Sequence, residues 1–211
     1  MNQLTILQNK HLFGDEQVLA TRMHPFQCKK GISKKPDSLF MSKLWKQSSM
    51  IYHYDAEHNP AFLQVCTTLF IHNQRKNKIA VLNKKDGYKT LAFSFHITDP
   101  GCQSFTEGAG FVTNKSGQLF NLEWVKPPVF WGVAHSASSV PDMHLHLFYH
   151  GTAKNVKSIV SGQFEWMSRE ECMRRIRHFD HVSQLVIDHY YVRGSFNANH
   201  QTRRKNSSLS A

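Results

Sequence analysis

Acidic residues are scarce: 15 Asp+Glu stand against 26 Lys+Arg, a formal charge of +11 over 211 residues. A surface so biased favours polyanionic partners: nucleic acid, an acidic membrane surface or a polyphosphate ligand. Paired cysteines are also lacking. Cys28, Cys66, Cys102 and Cys172 are widely spaced and form no C-x-x-C, so neither a zinc knot of that type nor a redox pair is signalled. Reduced, partly buried thiols are expected. Long apolar runs are missing too. Leu69-Phe70-Ile71 and Leu145 to Phe148 are far too short to span a bilayer. Met1 to Lys10 has no basic region followed by an apolar core, and Asp15 and Glu16 come early, so no targeting leader is expected and the cytoplasm is the expected location.

The composition does support a core, with 40% hydrophobic and 12% aromatic residues. Residues 1–50 read as a basic amino-terminal extension. Within it Gly14-Asp15-Glu16 opens a predicted helix to Met23, which His24-Pro25 ends. Lys29-Lys30-Gly31 and Lys34-Lys35-Pro36 form a turn-rich connector, and Ser38 is placed to cap a helix over Leu39 to Lys46.

A domain over 51–192 follows. Met50 to Tyr54 reads as an edge strand and Glu57 to Pro60 as a turn. Phe62 to His72 reads as a strand rich in β-branched and aromatic residues. Lys78 to Asn83 returns from a hairpin turn, and Asp86-Gly87 marks the next turn. Leu91, Phe93, Phe95 and Ile97 alternate with Ala92, Ser94, His96 and Thr98, which predicts one half-buried strand from Thr90 to Thr98. Between Cys102 and Asn121 no helical period is sustained, and a hairpin around Asn114 to Gly117 is expected. Val129 to Val133 is a further strand after Pro127-Pro128. Met143 to Tyr149 is another, which Gly151 is expected to end. Phe164-Glu165-Trp166 and a capping box, Ser168 to Glu171, then open helical sequence to Tyr191, interrupted at Asp180-His181. Val182, Leu185, Val186 and His189 make the expected packing stripe. Residues 193–211 read as a disordered basic tail.

The order of these elements, ending in strand, loop, a Trp-containing strand, Ser-x-x-Glu and helix, resembles a Nudix domain. The resemblance implies an α/β (α+β) fold, a mixed sheet flanked by helices. It also implies a glycine-led catalytic helix whose glutamates hold Mg²⁺ against a pyrophosphate. Gly101 and Glu107 keep the opening spacing of that motif. Lys115 to Asn121 stands where its metal-binding carboxylates would be and supplies none. The expectation is a degenerate Nudix-like protein, without metal or cofactor, that binds nucleotide or nucleic acid, possibly within a larger assembly with a protein partner. The expected phosphate contacts are Lys84 and Lys85, which the resemblance sets beside the cleft, with Lys29, Lys30, Arg174, Arg175 and Arg177.

Histidine offers other chemistry. His96-Ile97-Thr98 resembles the H-x-T motif of two-histidine phosphoesterases, which would make His96 and His144 or His146 a catalytic acid–base pair on a phosphodiester. His144 and His146 share one strand face, and His135 or His150 could supply a third metal ligand. Partly buried histidines bonded to backbone are the structural alternative to these sites, and a protein-interaction module is the remaining functional one.

Overall fold

A computed structural model describes residues 16–22, 32–34, 36, 38–73, 76–84, 86–105, 107, 110, 114, 122–136, 144–156 and 164–189. In chain order the strands are β1 (Gln17–Arg22), β2 (Ser33–Lys34), β3 (Ser48–Tyr52), β4 (Phe62–Asn73), β5 (Lys78–Asn83), β6 (Lys89–Thr90), β7 (Phe93–His96), β8 (Leu122–Ser136), β9 (His144–Val156) and β10 (Phe164–Ser168). The helices are α1 (Ser38–Lys46), α2 (His53–His58), α3 (Arg169–Arg174) and α4 (His181–Ile187), with a 3₁₀ turn at Ile176–His178. The expected Lys29, Lys30 and Lys85, residues 115–117 of the expected hairpin tip and the carboxy-terminal tail lie outside the described residues.

All ten described strands form one mixed sheet. Its main path runs β10-β5-β4-β9-β8-β2, with β1, β3, β6 and β7 attached beside it. β4 lies parallel to β9, Gln64 opposite His144 through His72 opposite Thr152, while the other named strand pairs are antiparallel. β4 is buried almost throughout, because it is paired along both edges and covered on both faces. One face packs Phe70, Phe148 and Val81 against Phe179, Val186 and Ile187. Leu63, Val65, Leu145 and Leu147 pack on the other side with Leu44 of α1 and Phe105.

Several elements depart from the sequence reading. The stretch predicted as helix to Met23 is β1, because it fills a slot between β3 and β4 that buries Val18 to Thr21. Tyr54 and the expected turn residues Glu57 and His58 belong to α2 instead. The single strand expected from Thr90 to Thr98 is broken after Thr90. The Leu91 amide donates to Ser183 Oγ at 3.0 Å, and Thr90 Oγ1 contacts the same hydroxyl at 3.1 Å, so α4 takes a bond that a strand partner would have made. Phe105, Glu107, Gly110 and Asn114 are helical where no helix was expected. Tertiary contact substitutes there for periodicity: Phe105 is buried edge-on to Trp45, ring centroids 5.0 Å apart.

β8 continues through Pro127-Pro128, absorbing them at register shifts between Lys126 and Val129. β9 likewise continues past Gly151, which Trp124 covers. The packing stripe of α4 is rotated from the expected one, since Ser183, Val186 and Ile187 are its buried residues. The capping box is as expected: Glu171 N donates to Ser168 Oγ at 3.2 Å and Ser168 N to Glu171 Oε2 at 2.6 Å. The break at Asp180 is also as expected, its carboxylate accepting from Ser183 N at 2.9 Å to start α4.

A Cβ at Gly151 would collide with the Trp124 ring, standing 2.9 Å from Cη2 and nearer still to Cζ3. Gly151→Ala is therefore expected to lower stability by about 1–3 kcal/mol, and adding Trp124→Leu should recover part of the loss. Denaturant unfolding of both variants measures this, and an additive double variant would refute the contact.

Candidate functional site

Register builds this site. On β4, Cys66 and Thr68 point to the face opposite Val65 and Thr67, as strand alternation requires. Antiparallel β7 sets His96 opposite Cys66 and Ser94 opposite Thr68. Parallel β9 sets His146 opposite Cys66 and His144 opposite Gln64. Three strands thus deliver one thiol, three imidazoles and two hydroxyls to one face. They border a cavity of about 540 Å³ that is also lined by Leu82, Lys84, Phe93, Phe95, Asp180 and Val182.

The histidines offered as a possible pair, His96 with His144 or His146, lie close together. His96 Nε2 stands 3.3 Å from His144 Nε2, with the rings 5.5 Å apart and nearly parallel. His146 is 5.8 Å from His144, centroid to centroid, and its Nδ1 contacts Thr68 Oγ1 at 2.9 Å. Thr68 Oγ1 in turn contacts Ser94 Oγ at 2.9 Å. Each of these groups is fixed by a neighbour from another strand.

Two members escaped the sequence reading. Cys66 was read as a bland thiol. Its alternation on β4 gave the face, but nothing local gave the partners across the sheet. His53, at the start of α2, stands edge-on to His96, ring centroids 4.9 Å apart, and pairs with Glu57 at 3.4 Å. Its expected strand placed it away from any site. The proposed third ligand His150 lies farther along β9, beside Phe70 and His72, and is no part of this group.

The basic residues divide. Lys84 lines the cavity and reaches Asp180 Oδ2 at 3.8 Å and Asp86 Oδ2 at 3.7 Å. Arg174, Arg175 and Arg177 are exposed around the end of α3 and do not line it. Among the described lining residues Asp180 is the one carboxylate, and it caps α4. Glu107 is exposed and accepts from Gln103 N at 2.8 Å, while Glu123 pairs with Lys154 and Glu165 with Lys89.

Burial sets the protonation states. It holds His96 down to about 4, helped by the neighbouring His144 and His53. It holds His146 down to about 3, helped chiefly by His144 and His135. Burial also pushes the Cys66 thiol well up. Near neutrality His96 and His146 are therefore neutral imidazoles with lone pairs to offer, not imidazolium ions.

No family model matches the sequence, and no curated protein matches it. Solved structures do match by shape. Tm1382, a candidate Nudix hydrolase, superposes with a TM-score of 0.68 at 16% identity over 82% of this chain and 96% of its own. A Nudix hydrolase from Nitrosomonas europaea gives 0.47 at 14% identity, over 62% of this chain and 89% of its own. The E. coli dihydroneopterin triphosphate pyrophosphohydrolase gives 0.40 at 10% identity, over 64% and 97%. The first of these carries the assignment: the chain has a Nudix-like α+β fold, a mixed sheet flanked by few helices. Among the described residues no helix is long and apolar enough to cross a membrane.

A buried histidine held below its ordinary value binds fewer protons folded than unfolded. Stability should thus be full above about pH 6.5 and fall with acidification toward pH 4 for His96 and pH 3 for His146. Each histidine contributes a slope of up to about 1.4 kcal/mol per pH unit. Chemical unfolding between pH 7 and 4 reads this slope, and His146→Gln should flatten it. An unchanged slope in that variant would show that His146 is solvated.

Proposed function

We propose that this protein binds a nucleotide or nucleic acid at the histidine-lined cavity and does not hydrolyse it by glutamate-held Mg²⁺. The supporting observation is the lining. Phe93, Phe95, Leu82 and Val182 offer apolar walls for a base, Ser94 and Thr90 offer hydroxyls, and Lys84 offers a cation at the rim. The carboxylates that Mg²⁺ chemistry on a pyrophosphate needs are not among these groups. Asp180 is engaged by Ser183 and Lys84, and Glu107 and Glu123 serve surface contacts. Lys115 to Asn121 contributes no acid by sequence. The charge of +11 adds long-range attraction for phosphate.

A second reading is favoured by one distance. His96 and His144 at 3.3 Å in one cleft are close enough for acid–base work on a phosphodiester. Held down to about 4, His96 is neutral near neutrality and could serve only as the base, so this reading needs a second group to carry the acid's proton. The non-catalytic reading is therefore preferred.

Titration with single-stranded and duplex oligonucleotides and with nucleotides tests the proposal. Log affinity should fall with log salt, by about 0.7 per phosphate contact on single strands and about 0.9 on duplex. Lys84→Glu should weaken binding about tenfold, which corresponds to about 1.4 kcal/mol. No binding at low salt, or a flat salt response, would replace this reading with the protein-interaction module. Mg²⁺-dependent turnover lost in Glu107→Gln would overturn its non-hydrolytic part. Phosphodiester cleavage lost in His96→Ala with the fold intact would establish the second reading.

A further inference from the structure

We propose that Cys66, His96 and His144 form a binding site for a thiophilic divalent cation, of which Zn²⁺ is the type, with its fourth coordination position open to the cavity. One donor atom from each residue, Sγ and two imidazole nitrogens, lies within 4.8 Å of the other two. Two nitrogens bound at about 2.0–2.1 Å to a tetrahedral zinc stand about 3.3–3.4 Å apart. His96 Nε2 and His144 Nε2 already stand 3.3 Å apart. A sulfur bound at about 2.3 Å would stand about 3.6 Å from each nitrogen, so closing the site from separations within 4.8 Å asks for up to about 1.2 Å of side-chain movement.

The donor types fit the ion. A thiolate with two imidazoles selects Zn²⁺ over Mg²⁺ or Ca²⁺, which prefer oxygen. Rigidity fits as well, because the ligands come from three hydrogen-bonded strands, with Cys66 opposite His96 in the register. His53, edge-on to His96, and the adjacent His146, held by Thr68, are placed to brace the ligand rings. A thiolate and two neutral imidazoles leave one positive charge on a dication, facing the same cavity as Lys84. Metal binding does not depend on the ligand class proposed above, so the two can fail separately.

The test is titration of the full chain with Co²⁺ as spectroscopic probe, with no nucleotide present, followed by competition with Zn²⁺. The expected result is one Co²⁺ per chain, with intense visible bands of tetrahedral geometry and a thiolate-to-cobalt charge-transfer band that Zn²⁺ abolishes. Cys66→Ser should remove the charge-transfer band. His144→Gln should weaken binding at least tenfold, and Cys172→Ser should change neither. Zn²⁺ should also raise the melting temperature of the wild type and not that of His144→Gln, a readout that serves if Cys66→Ser does not fold. No Co²⁺ uptake by the wild type, or a charge-transfer band that survives in Cys66→Ser, would overturn the site. So would equal Zn²⁺ stabilisation of wild type and His144→Gln.

Discussion

The parallel pairing of β4 with β9 is the constraint on which the rest depends. From Gln64 opposite His144 to His72 opposite Thr152, it joins segments about eighty residues apart and fixes which residues share a face. Because side chains alternate with period two, a slip of one residue would send Cys66, Thr68 and Phe70 to the other core and bring Val65, Thr67 and Leu69 to the cavity. The apolar sets on the two faces prevent that slip. Leu145 and Leu147 are buried with Leu63 and Val65 on one side, and Phe148 with Phe70 on the other. Packing of the apolar residues that alternate with it thereby holds the polar group of the same stretch on the opposite face.

That polar group is costly. Neutral imidazoles and a protonated thiol in a largely buried setting surrender hydration for few hydrogen bonds. The contacts His146 to Thr68, Thr68 to Ser94 and His96 to His144 offset part of the cost. Such a cluster is not needed to fold the sheet, since leucine or valine at these places would pack with less penalty. Its presence on the wall of a cavity of about 540 Å³ is the observation on which the proposed binding role rests.

The cavity wall opposite the sheet is α4, which is short and gains its position from outside. Asp180 caps it, Ser183 bonds the broken edge between β6 and β7, and Val186 and Ile187 anchor it in the core. One residue, Ser183, therefore ends a strand and orients a helix, leaving room between them for His96 and Lys84 to face a common space.

The sequence by itself determined the strongest local elements. β5 has the bounds expected of the return strand of its hairpin, β4 and α1 differ by a residue at one end, and the capping box at Ser168 forms as read. These depend on near neighbours: alternation, turn residues and side-chain caps act within a few positions. The order of such elements also carried the Nudix-like fold. Tertiary structure decided the rest. β1 is a strand because β3 and β4 offer it partners, against its acidic, helix-like start. Pro127-Pro128 and Gly151 lie inside strands because bulges and the Trp124 ring accommodate them. The histidines at 96, 144 and 146 were legible as candidates from their strands, but their meeting, and the entry of Cys66 and His53, were not. Which strand lies beside which, and in what register, is set by contacts between residues far apart in the chain, and no local pattern encodes it.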